Sequence, residues 1–397
     1  MANLKYALVF GASGVTGWST VTEILNDYPK KGTFGGVISL TNRPLSLEQS
    51  RWPKDDRLTI VSGIDLLKGS QEDLERTMKD KIPNLDKITD NYFFAYKAHA
   101  DNDIQTKENV EMFKRAVLAT DHLCPHLEHV VLQTGAKHYG CHLLGDRPAR
   151  FVPPFAETEP LLEQPANEGL FYLPQMEFIG DYSKDKAWGW IDTRPDIIIG
   201  FVPNQNFYSL GSALGFFLSL YREINGEGAE CPFPGTAKSW VTKSIDSSAE
   251  MIARQTLHVA LSDKYRASKG ESFNVADERT PRTWETRWPD LCAYFGLKGV
   301  KKPEDNPIEV RTYIRENIGT WNQMEAKYGL QSGHADSPHI FPGFEYFLIT
   351  LFDQDRQYDM TKMYDVAGFK EERDTTHAWG RVFDHMRAAK ILPNEFK

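Results

Sequence analysis

No apolar run in this chain approaches the roughly 20 residues needed to cross a bilayer; the longest, LGSALGFFLSL at 210–220, falls well short, so no membrane segment is expected. The N-terminal stretch MANLKYALVFGASG is broken by glycines too early to act as a signal peptide and reads as a strand. There is no long basic block, and the formal net charge is −9, which argues against nucleic acid or an anionic membrane as the main partner. No Cys-x-x-Cys pair occurs: Cys124, Cys141, Cys231 and Cys292 are scattered, as reduced thiols in a cytoplasmic protein would be. Internal repeats, low-complexity segments and Ser/Gly- or Pro-rich linkers are also missing. These absences leave a soluble globular protein with a small-molecule partner.

The chain of 397 residues is 41% hydrophobic and 12% aromatic, enough for a sizeable core with an apolar pocket beside it. That length suits one large α/β unit with an appended region, or two domains. Through the first half, short β-rich runs alternate with polar segments of helical period. Strands are expected at Tyr6–Gly11, Gly36–Thr41, Leu58–Ile64, Asn91–Tyr96, His129–Thr134 and Asp196–Phe201. This alternation predicts a Rossmann-type, doubly wound parallel sheet over residues 1–205. After about residue 202 the pattern turns aromatic and mainly helical. Residues 206–397 are therefore expected to form a substrate-binding region packed on the sheet, with a homodimer left open.

VFGASGVTG sets Gly11, Gly14 and Gly17 between a strand and a helix. In such a turn one glycine permits the bend, one lets the backbone approach a pyrophosphate, and one lets helix and strand pack. Ser13, Val15 and Thr16 lie in the same loop. The second strand ends in LTNRP, where an NAD site would place an acidic residue. Asn42 and Arg43 instead suit a 2′-phosphate, so NADP(H) is the expected cofactor. Asp65, ending the third strand, is either a contact to the adenine amino group or a helix N-cap.

The stretch GLFYLPQMEF, 169–178, raises the question of catalysis. The order of elements resembles extended short-chain dehydrogenases, in which a helix after the fifth strand carries tyrosine and lysine one turn apart. The tyrosine polarises the substrate oxygen, and the lysine lowers its pKa. Here Tyr172 is the first tyrosine after the loop, but Met176 follows one turn later and carries no charge. Lys137 in TGAKHYG, just after the fifth strand, is the best replacement cation. A literal Tyr-x-x-x-Lys does occur at Tyr182 and Lys186, but past the expected slot and in a charged run.

TGAKHYG, LFY at 170–172 and RPDIIIGFVP at 194–203 together resemble the progesterone 5β-reductase/iridoid synthase-like (PRISE-like) family of atypical short-chain dehydrogenases. Further similar segments, FPGTAKSW, SIDSSAEMIA, ESFNVAD and AAKILP, extend the likeness over nearly the whole chain. The resemblance implies that Tyr172 is the catalytic tyrosine and Lys137 the lysine that acts with it. It also implies cofactor contacts at Ser13, Gly14, Val15, Asn42, Arg43, Asp65 and Leu66, and at Ala95, Gln133, Ile198, Gln205, Asn206 and Phe207. The sequence departs from the family pattern at Gly169, Phe171 and Ala95-Tyr96, which border the substrate, so the family's chemistry transfers better than its substrates.

The expected reaction is NADPH-dependent 1,4-reduction of an apolar enone or enal, with Tyr172 hydrogen-bonding the developing enolate and Lys137 supporting its charge. A carbonyl 1,2-reductase would use the same residues; a non-redox cyclase/isomerase or an NADP(H)-binding sensor would use the same fold. No metal is required. His122, Cys124, His126 and His129 straddle a helix end and a strand start, without the helical repeat of a shared coordination site.

Overall fold

Strand β1, Lys5–Phe10, sends Ala7 and Val9 into one hydrophobic cluster and Leu8 and Phe10 into another, with all four side chains buried. Successive residues of a strand point to opposite faces, so a strand buried on both faces belongs at the centre of a sheet covered on two sides. The computed structural model describes residues 4–203, 209–301, 308–337 and 343–396. The other strands are β2 Phe34–Thr41, β3 Leu58–Ser62, β4 Asp90–Phe93, β5 His129–Gln133, β6 Gly189–Pro195, β7 Ile198–Ile199, β8 Glu230–Pro232, β9 Ser247–Ser248, β10 Lys269–Val275 and β11 Lys298–Val300. Seven of these form one parallel sheet in the order β10-β6-β5-β4-β1-β2-β3, and β7–β9 and β8–β11 form two small parallel pairs. The order reverses between β1 and β4, which opens a crevice at the carboxyl ends of the strands.

The helices of the first half are α1 Val15–Leu25, α2 Leu47–Ser50, α3 Gln71–Lys81, α4 Asn102–Leu123 and α5 Tyr172–Tyr182, and α6 Leu210–Asn225 follows them. On one face of the sheet α1 packs on the helix Ala249–Ala260, and Arg254 Nε donates to the Glu23 carboxylate at 2.8 Å. On the other face α3, α4 and α5 supply Leu74, Phe113 and Ile179 to the cluster that holds Leu8 and Phe10. Further along, α6 packs on the helices Val310–Glu316, Ile318–Tyr328 and Thr375–Ala388, giving the mainly helical second half. The fold is therefore a Rossmann-type, doubly wound sheet with a mainly helical C-terminal portion.

The sixth strand differs from the sequence expectation. Asp196–Phe201 yields only the two-residue β7, and the sheet instead takes GWIDTRP, all seven residues of which are buried. A strand with buried aspartate and arginine looks like surface in sequence. It is stable inside because Arg194 Nε pairs with Asp192 at 2.8 Å, Arg194 Nη2 donates to Ser272 Oγ at 2.7 Å, and Thr134 Oγ1 donates to Asp192 at 3.0 Å. Ser272 lies on β10, whose place in the sheet the sequence did not reveal.

Candidate active site

Gly11 follows β1 with φ +76°, and a Cβ there would lie 2.7 Å from the backbone nitrogen of Ala95. A left-handed backbone and a close approach both demand glycine. At Gly17 a Cβ would lie 2.3 Å from the Gly11 carbonyl oxygen, so Gly17 lets helix and strand pack and does not line the crevice. Gly14 caps α1 without a side-chain hydrogen bond, leaving the first-turn N–H groups unclaimed by any capping side chain. A cavity of about 940 Å3 opens at this point and runs along the carboxyl ends of the strands. Gly11, Ser13, Gly14, Val15, Thr16, Asn42, Arg43, Asp65, Leu66, Ala95, Gln133, Lys137, Tyr172 and Ile198 all line it. Gln205, Asn206 and Phe207 lie outside the described residues.

Asn42 and Arg43 stand exposed at the rim beyond β2. Their turn is held by Thr41 Oγ1, which donates to the Arg43 carbonyl at 2.7 Å and lies 3.0 Å from Ser62 Oγ. Asp65 accepts from the Leu67 N–H at 3.0 Å, whereas α3 is capped by Ser70, so Asp65 is not that helix's N-cap. Gln133 Oε1 is buried with no hydrogen-bond partner among the described residues, an acceptor left open beside the cavity.

Tyr172 is the first residue of α5, and Lys137 sits in the 3-10 turn Ala136–Tyr139 that follows β5, so two distant segments bring them to one cavity. The Tyr172 ring stacks on His138 with centroids 5.3 Å apart and meets Phe171 edge-on at 4.8 Å. Gly135 lets the backbone pass close to the phenol: a Cβ there would sit 3.3 Å from the Tyr172 hydroxyl. Desolvation lowers the Lys137 ammonium pKa from the ordinary lysine value, and no carboxylate of the described residues lies within ion-pair distance of it. Beneath this turn, Tyr139 Oη donates to Asn274 Oδ1 at 2.6 Å, and Arg194 Nη1 reaches Tyr139 Oη at 3.4 Å. The buried Asp192–Arg194 pair of β6 thus underlies the turn that presents the lysine. Met176 packs against the apolar cluster on the α3–α4 face.

Tyr182 and Lys186 lie outside the cavity lining. Both hold Asp121 of α4, the phenol donating to it at 2.7 Å and the ammonium pairing with it at 2.6 Å, and Trp188 Nε1 adds a third bond at 2.7 Å. His122 and His129 are held apart, His122 beside Glu75 at 2.8 Å and His129 against the Arg266 carbonyl at 3.1 Å. Among the described residues no three His, Cys, Asp or Glu side chains are grouped to hold a metal, and no helix is long and apolar enough to cross a membrane.

Sequence reasoning missed part of the lining. Phe344, Phe347, Leu348 and Phe352 form an apolar wall, and Tyr96, stacked on Phe171 at 5.5 Å, belongs to the same lining. Asp196 lines the cavity and is paired with Arg356 at 3.3 Å, both side chains being buried; Arg356 Nη1 also donates to the Phe352 carbonyl at 3.2 Å, which ties the wall to the end of β6. Cys141 and His142 complete this end. No local signal marked the wall, because an aromatic helix turn reads equally well as core.

Residues 7–393 match the family described as the PRISE-like Rossmann-fold domain. The short chain dehydrogenase ausT of Aspergillus calidoustus is 35% identical over 98% of this chain and 94% of that protein. The 3-oxo-Delta(4,5)-steroid 5-beta-reductase of Arabidopsis thaliana is 27% identical, and the (S)-8-oxocitronellyl enol synthase of Nepeta cataria 26%, each over 98% of this chain and 93% of the relative. Among solved structures, the UDP-glucose 4-epimerase of Bifidobacterium longum superposes with a TM-score of 0.62 at 14% identity, covering 97% of this chain and 98% of that one, a likeness of fold. The glycine turn at the sheet's switch point and the near-complete family match agree: the chain belongs to the PRISE-like family of Rossmann-fold short-chain dehydrogenases/reductases.

Proposed function

We propose that this protein is an NADPH-dependent reductase that adds hydride to the β-carbon of apolar α,β-unsaturated ketones or aldehydes. The observation that carries the reading is the meeting of Tyr172 and Lys137 in the cavity that begins at the glycine turn. The cofactor's fit is supported by the left-handed turn at Gly11, by the uncapped start of α1 and by the open acceptor of Gln133. Asn42 and Arg43 at the rim suit the 2′-phosphate, since a guanidinium matches phosphate geometry. Two of the relatives are named for a 3-oxo-Delta(4,5)-steroid reductase and an enol synthase, names that accord with chemistry at an enone or enolate.

Bound NADPH supplies the hydride. The hydroxyl of Tyr172 donates a hydrogen bond to the substrate carbonyl oxygen as negative charge gathers there. Lys137, with no described carboxylate to neutralise it, stabilises the same charge in a poorly solvated setting where Coulomb attraction is stronger than in water. The enolate then takes its α-carbon proton from water. Phe344, Phe347, Phe352 and Phe171 provide the apolar surface for the substrate body.

The test is an NADPH-oxidation assay over enones and enals with products identified by mass spectrometry. The saturated carbonyl compound is the expected product. An allylic alcohol would assign 1,2-reduction to the same residues, and NADPH binding without oxidation of any substrate would point to the non-redox use of the fold.

A further inference from the structure

His142 is the second residue of the turn Cys141–Asp146, which follows the Lys137 turn after Gly140 at φ +70°. Beyond it, the Leu144 carbonyl accepts from Gln354 Nε2 at 2.6 Å, and Arg147 Nη1 donates to the Asp355 carbonyl at 3.0 Å. These bonds stitch the turn to the segment that bears Phe352, and His142 lines the same cavity as Lys137, whose charge it feels, and the aromatic wall.

Neither ring nitrogen of His142 has a hydrogen-bond partner among the described residues, although both are shielded from solvent. A half-turn about χ2 exchanges each nitrogen with a carbon in nearly the same volume, so an N–H or a lone pair can be presented on either side of the ring. Burial, together with the Lys137 charge, pushes the imidazole pKa down to about 4. The ring is therefore neutral at ordinary pH, with one donor and one acceptor, and suits an uncharged oxygen better than a carboxylate or phosphate. Two other polar side chains of the lining are engaged, Asp196 by Arg356 and Thr134 by Asp192. Tyr172 and Lys137 already serve the oxygen of the reacting carbonyl.

We infer that His142 is a specificity-determining residue whose imidazole hydrogen-bonds a second oxygen of the substrate, so that the preferred substrates are apolar enones or enals bearing a further hydroxyl or carbonyl group. This rests on the enone-reductase reading above. It narrows the substrate class to molecules with two oxygen functions, one at the site of reaction and one against the turn 141–146.

The experiment compares cyclohex-2-enone with its 4-, 5- and 6-hydroxy derivatives in wild type, His142→Phe and His142→Gln, reading kcat and KM separately, with NADPH affinity by fluorescence as the check on folding. Wild type is expected to favour at least one hydroxy derivative about tenfold, mainly through KM, the worth of one good hydrogen bond. His142→Phe should bring that ratio close to one, and His142→Gln, which retains a donor and an acceptor, should recover part of it. A wild type with no preference, or a His142→Phe variant that keeps it, overturns the inference. Thermal shifts of the NADPH-saturated proteins with the same compounds give the ratio without turnover. If wild type oxidises NADPH with none of them, the reductase reading fails, while the shifts still decide the role of His142.

Discussion

The phenol ring of Tyr172 lies on the imidazole of His138, with ring centroids 5.3 Å apart and planes inclined by 29°. Lys137 immediately precedes His138, so a single short turn supports the tyrosine and carries the lysine. The supporting ring is uncharged: burial, with a further push from the Arg194 guanidinium, takes the His138 pKa down to about 3. An imidazolium at this place would repel the ammonium that the proposed chemistry needs.

Tyr172→Phe removes the donor to the developing enolate and is expected to lower kcat roughly 100- to 1,000-fold, the usual cost of one such donor. Lys137→Ala should also reduce kcat, while Tyr182→Phe, which removes one of three bonds to Asp121, should cost about 1 kcal/mol of stability and leave kcat within about twofold. Steady-state kinetics beside urea unfolding separates the two effects. Loss of turnover in a folded Tyr182→Phe, with Tyr172→Phe active, would reverse the assignment.

Arg43 stands at the rim beyond β2, where the proposed cofactor would bring its 2′-phosphate. Arg43→Ala is expected to raise the KM for NADPH by about tenfold, equivalent to a charge-assisted hydrogen bond, and to leave the KM for NADH nearly unchanged. If wild type prefers NADH, or if the variant shifts both cofactors equally, Arg43 does not read the phosphate.

His138 also gives stability a defined pH dependence. Its folded pKa of about 3 lies below the roughly 6.5 of an unfolded histidine, so between these values the unfolded chain binds a proton that the folded one excludes. Its contribution is therefore fully present above about pH 6.5 and declines by about 1.4 kcal/mol per pH unit as pH falls toward 3. His138→Phe should flatten the acid limb by that slope relative to wild type, measured as urea unfolding free energy from pH 7 to pH 4.5. A steeper acid limb in the variant would contradict the assignment.

Cys141 lines a cavity proposed to hold enones, which alkylate thiolates. Burial, reinforced by the nearby Asp196 carboxylate, pushes its pKa up to about 12, so almost none is ionised near neutrality. The folded protein is expected to remain unmodified after an hour with N-ethylmaleimide at pH 7.5, by intact mass, and to react promptly in urea. Rapid labelling of Cys141 in the folded state would mean that the thiol is open and ionised.

Several features were legible because their causes are local. The glycine turn could be read from three glycines between a strand and a helix, since Gly11 needs a left-handed backbone and Gly17 a bare Cα. Strands β1 to β5 showed as apolar runs, with small shifts at their ends. Tyr172 and Lys137 were found by their order along the chain and by resemblance to a family, and the structure sets both in one cavity. Gly17 does not line the cavity, in keeping with the helix–strand packing role expected of the third glycine.

What the sequence determined alone was therefore the alternation of strands and helices and the backbone freedom at the turn, and it pointed to Tyr172, which lines the cavity, over Tyr182, which does not. Only the tertiary structure decided that GWIDTRP is a strand, that β10 closes the sheet beside it, and that Phe344–Phe352 walls the cavity. Backbone requirements and apolar periodicity act over a few residues and leave a local imprint. The burial of Asp192 and Arg194 depends on Thr134, Tyr139 and Ser272, which lie far from one another along the chain and meet only after the sheet has formed.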